Sequence, residues 1–95
     1  MAAQNITFGR EGNQYVATFE ATGDFALHIE RDELGPVTVE ASTVPDSGFA
    51  LVDEFPTGAR NKLVIDYDFV GVVYPKYIRV SSDTEPTLAV VTFAE

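Results

Sequence analysis

Apolar and polar positions alternate with a period of two through most of the chain. Tyr15, Ala17 and Phe19 alternate with Gln14, Val16, Thr18 and Glu20, as in a strand with one face on a core and the other in water. The same rhythm sets Phe25, Leu27 and Ile29 against Ala26, His28 and Glu30, and Val37, Val39 and Ala41 against Thr38, Glu40 and Ser42. Within Asn61–Tyr67, Leu63, Ile65 and Tyr67 share a face; within Lys76–Ser82, Ile78 and Val80 do. Gln4–Phe8, Phe49–Phe55 and Thr87–Phe93 complete about eight strands rich in β-branched and aromatic residues. Turn signals separate them: Gly9 and Gly12, Thr22-Gly23-Asp24, Asp32–Pro36, Val44–Gly48, Pro56-Thr57-Gly58 and Asp83–Pro86. Helical spacing is confined to a single possible turn near Arg31–Leu34. The pattern predicts an all-β fold, a two-sheet antiparallel sandwich of Ig-like or jelly-roll type, forming one domain over residues 1–95.

One stretch breaks the rhythm. Phe69-Val70-Gly71-Val72-Val73-Tyr74-Pro75 is almost continuously apolar. Two readings fit: a buried crossover between the sheets, or a hydrophobic loop docked on a neighbouring chain. In the second reading Phe69, Val72, Val73, Tyr74 and Tyr77 form a protein interface, and Tyr74→Ala with Val73→Asp removes the contact while the fold survives.

Charge narrows the partners. Fifteen acids against six Lys plus Arg leave a net charge of −9 on 95 residues. Phosphate backbones and anionic bilayers are repelled by such a surface, so neither nucleic acid nor membrane is expected. The acids are dispersed, as in a solubilising coat that also suits a basic partner. Against that background Arg10, Arg60 and Lys76 are candidates for setting register on acidic groups of a partner. No apolar run approaches the ~20 residues that span a bilayer, and the opening residues lack a signal peptide's basic and apolar regions. The Asn5-Ile6-Thr7 sequon reads as a chance match in a strand.

Catalytic motifs are sparse. With no cysteine, thiolate chemistry, cysteine-bound zinc and disulfides are excluded. The lone histidine, His28, falls at an outward or edge strand position without a partnered nucleophile. The carboxylate pairs Asp53/Glu54 and Asp66/Asp68 lack a cleft to tune them for glycoside hydrolysis. Asp66-Tyr67-Asp68 and Asp83 with Glu85 offer hard oxygens to calcium, yet no EF-hand spacing is present. Stacking on a sugar would use Tyr15, Tyr67, Tyr74 or Tyr77, without help from tryptophan. The expectation is a non-enzymatic module without cofactor or metal.

Two segments carry a resemblance. Val37–Phe55 has the form strand, Ser-x-x-x-Asp-Ser-Gly-Phe turn, strand, and Tyr74-Pro75-Lys76-Tyr77-Ile78-Arg79-Val80 follows. Over roughly Val37 to Phe93 this order resembles discoidin-like carbohydrate-binding modules and the short sandwich proteins of tailed-phage virions. The acidic, cysteine-free chain is most similar to auxiliary capsid, or head-decoration, proteins. That resemblance implies a virion protein made in the host cytoplasm that binds and stabilises an assembled shell, with the major capsid protein or its own copies as partners. The alternative is a small carbohydrate-binding or adhesion module.

Overall fold

A computed structural model describes residues 2–55, 63–71 and 73–94. The described residues form nine strands and no helix: β1 (Ala2–Asn5), β2 (Gly9–Glu11), β3 (Gln14–Ala21), β4 (Phe25–Arg31), β5 (Val37–Ser42), β6 (Ala50–Phe55), β7 (Val64–Phe69), β8 (Lys76–Ser82) and β9 (Pro86–Phe93). They build two antiparallel sheets. The first has the order β1-β9-β4-β7 and the second β2-β3-β8-β5-β6.

The pairing is nested along the chain. β1 pairs with β9, β3 with β8, β4 with β7, and β5 with β6. The nested pairs are joined laterally through β4–β9 and β5–β8, while β2 folds back on β3 as a short extra hairpin. A long hairpin rolled into two layers has this connectivity, so of the two expected sandwich types the chain adopts the jelly roll.

The core lies where the inward triplets meet. Phe25, Leu27 and Ile29 of β4, Ile65 and Phe69 of β7 and Val91 of β9 face Val37 and Val39 of β5 and Ile78 and Val80 of β8, all buried. At one end Phe25 stacks on Phe69 (5.0 Å between ring centroids, 12° between planes) and meets Phe19 edge-on at 5.2 Å. Such pairs add directional packing to the apolar burial.

Some boundaries differ from the sequence reading. The first strand is Ala2–Asn5 rather than Gln4–Phe8, because Ile6 and Phe8 pack against the core while the chain passes between sheets, with Ile6 N–H on the Ala89 carbonyl at 3.0 Å. Leu63 is exposed and precedes β7 instead of facing inward. The helical turn near Arg31–Leu34 is an open loop. There Arg31, 3% exposed, donates from Nη1 to the Gly35 carbonyl at 2.5 Å. Pro56-Thr57-Gly58, with Asn61 and Lys62, lies outside the described residues.

Candidate functional site: an apolar rim at the crossover end

Registers define two ends of the sandwich. The β3–β4 turn, the start of β8 and the close of β7 and β9 share one, since Phe25 pairs with Phe69 and Phe93, and Ala21 with Lys76. Residues 70–75 leave β7 of one sheet and enter β8 of the other, so the non-alternating stretch is a crossover, as one reading expected. It is not a buried one. Val70 is 78% exposed and Val73 59%.

Three hydrogen bonds pin this exposed loop. The Tyr74 hydroxyl donates to Asp24 Oδ1, which also accepts from Gly71 N–H at 3.1 Å; that N–H lies 2.7 Å from the Tyr74 oxygen as well. The Tyr74 bond, then the Gly71 amide, hold the Asp24 carboxyl below the usual carboxylate range. Burial, then the Asp24 bond, push the Tyr74 phenol up. Gly71 leaves the latch its room: a Cβ there would stand 2.8 Å from the Tyr74 oxygen and 3.0 Å from the Phe69 ring, so the Tyr74 hydroxyl would have to shift.

The predicted interface residues do not form one surface. Phe69 is a core residue, 7% exposed, so its ring is unavailable as a docking anchor. Tyr74 is half-buried and serves the latch, so Tyr74→Ala would disturb the crossover and not merely trim a contact. Tyr77 lies on the outer face of the second sheet, because its neighbours Ile78 and Val80 face inward. Arg10 sits on β2 at the other end, paired with Tyr15, with its guanidinium 5.8 Å from that ring and Nε on the Gly12 carbonyl at 3.2 Å. Lys76, half-buried, does start β8 beside the crossover. Val72 and Arg60 lie outside the described residues. Val73, Tyr74 and Lys76 are therefore brought together, and Val70 and Asp24 join them.

Beside Val70 the outer face of the first sheet dips into a depression of about 280 Å³, reaching from Asp24 and Asp68 past Ala26 to Thr92 and Ala94. Its lining is mostly apolar. Farther along the same face His28 bridges two carboxylates, Nδ1 2.6 Å from Asp66 Oδ1 and Nε2 2.8 Å from Glu30 Oε2. The bond to Glu30, then that to Asp66, raise its pKa, favouring an imidazolium that donates from both nitrogens. β4 runs between β9 and β7, so His28 is outward on an interior strand rather than at an edge. It clasps β4 to β7 with both ring nitrogens engaged.

The second sheet presents a contrasting outer face. Arg79 Nε donates to Glu40 Oε1 at 2.9 Å, and its guanidinium lies over the Phe49 ring at 4.5 Å. The pair lines a shallow polar groove of about 430 Å³ with Gln14, Thr38 and Ser81. Among the described residues no His, Asp and Glu group is arranged to hold a metal ion, and no helix is long and apolar enough to cross a membrane.

Fold and rim together define the class, an antiparallel jelly-roll sandwich with exposed apolar side chains on the crossover loop at one end. No family model, no curated protein and no solved structure matches the chain.

Proposed function

We propose that the protein is a non-enzymatic binding module, an auxiliary capsid protein that attaches to and stabilises an assembled virion shell. The carrying observation is the pinned crossover: Val70 and Val73 project into solvent from a loop that Asp24 and Tyr74 hold in place. Apolar side chains held outside a core gain free energy only when something covers them. Binding that discriminates for the assembled shell stabilises it by mass action. Jelly rolls serve capsid and lectin domains alike, so the fold is compatible with this role without selecting it.

Particle occupancy tests the reading. The tagged protein should co-purify with gradient-banded particles from its source in many copies. Val70→Asp with Val73→Asp should remove it while the circular dichroism spectrum stays unchanged. A wild-type chain absent from particles rejects the virion role, and undiminished occupancy of the double variant rejects this contact surface.

A further inference from the structure

The depression beside Val70 has a structural cause. In the outer row of the first sheet, Ala26 of β4 stands between Asp68 of β7 and Thr92 of β9. A lone methyl group there leaves the row low, and Val70 rises beside it. The floor is firm: the Phe25 and Phe69 rings beneath are stacked in the core, and Ala94 N–H is bonded to the Asp24 carbonyl at 2.9 Å.

Its rim is anionic. Asp24 and Asp68 both line the depression, and among the described residues no Lys or Arg does. Asp24 spends Oδ1 on the latch, while no hydrogen bond engages Oδ2 or the exposed Asp68 carboxylate among the described residues. An apolar hollow with two available carboxylates fits an occupant that is apolar at its tip and cationic beside it. At about 280 Å³ it lies just below the ~300–1,000 Å³ usual for drug-sized ligands, room for one large side chain.

We infer that this depression is a receptor for a partner protein segment presenting one aliphatic or aromatic side chain next to a Lys or Arg. The inference rests on the docking-module reading and names the chemistry of its partner. Charge selects that occupant. A second copy would set one chain of net charge −9 against another and bring like carboxylates to the rim. Nucleic acid and anionic lipid are repelled in the same way.

A titration of the full-length, ¹⁵N-labelled chain with capped dipeptides tests this. Acetyl-Phe-Arg-amide should shift the amides of Ala26, Val70 and Ala94 saturably, with a dissociation constant on the order of 1 mM. Acetyl-Phe-Glu-amide and acetyl-Gly-Arg-amide should bind about tenfold more weakly or not at all. Ala26→Tyr, on the solvent face of β4, should fill the hollow and abolish the shifts; Asp68→Asn should weaken them several-fold and reduce their salt dependence. If Ala26→Tyr fails to fold, the Asp68→Asn series decides alone. Equal binding of the Glu peptide, shifts confined to the Arg79 groove, or no saturation overturns the assignment. So does a wild-type dimer that Ala26→Tyr dissolves, since a second copy would then be the occupant. Dipeptide binding by a chain missing from particles rejects the virion role and keeps the site. Full particle occupancy without dipeptide binding does the reverse.

Discussion

The two ends of the sandwich are both fastened by side-chain hydrogen bonds, in opposite senses. At the crossover end a carboxylate, Asp24, gathers donors from Tyr74 and Gly71 and leaves Val70 and Val73 outside. At the far end a buried cation, Arg31, reaches the Gly35 carbonyl. There Asp83 N–H bonds to the Pro36 carbonyl at 3.1 Å and Thr84 Oγ1 to the Glu33 carbonyl at 3.2 Å. Those far-end bonds draw polar loops down over the core, and the apolar side chains left out there, Leu34 at 58% and Leu63 at 45%, are less exposed than Val70. The contrast separates rigidity from burial. One end uses its bonds to close the fold, the other to present apolar groups that the fold itself does not need.

Substitutions sharpen that contrast in a graded order. Arg31→Ala should have the largest effect, lowering unfolding free energy by about 2–4 kcal/mol through lost packing and unsatisfied polar groups. Urea denaturation measures it, and a loss near zero would remove the far end's role as closure. Tyr74→Phe should lower the melting temperature by a few degrees, less than Arg31→Ala, and raise hydrogen exchange at Gly71.

The pH responses should then diverge. Asp24 has a depressed folded-state pKa, so its contribution is present above the ordinary carboxylate value and is lost as pH falls through the lower, folded one. The wild-type advantage over Tyr74→Phe should therefore shrink in acid. His28 has a raised folded-state pKa. Its contribution is full below the ordinary imidazole value and lost as pH rises through the elevated one. Wild type minus His28→Gln, measured as melting temperature against pH, should fall toward alkali; a flat difference would show that the clasp carries no linked proton. The smallest stability effect belongs to Val70→Asp with Val73→Asp, within about ±0.5 kcal/mol per site, despite its predicted loss of particle binding.

Much of the fold was legible because alternation records which face is dry. Phe25, Leu27 and Ile29, then Val37 and Val39, then Ile78 and Val80, all point inward as their spacing predicts. Alternation fails where the chain changes sheets, and there Ile6 and Phe8 mimic a strand while plugging the core. The lapse at residues 69–75 correctly marks an unusual segment, yet an unbroken apolar run hides where β7 ends. Parity held the answer: Ile65, Tyr67 and Phe69 share a face, which assigns Phe69 to the core and Val70 to solvent. The depression was illegible, since it depends on Ala26 lying between Asp68 and Thr92, a juxtaposition made only by strand register. The latch was hidden for the same reason, Asp24 reading as an ordinary turn residue far in sequence from Tyr74.

The nested pairing has a consequence during synthesis. Of the nine strands β1 leaves the ribosome first and β9 last, yet they are partners. The β5–β6 hairpin can close early, whereas β1 must wait with its edge open until β9 follows it, as slow, high-contact-order topologies require. Two chains made side by side thus share an interval in which β1 of one could pair with β9 of the other, and a strand-exchanged dimer is the misassembly expected of this topology.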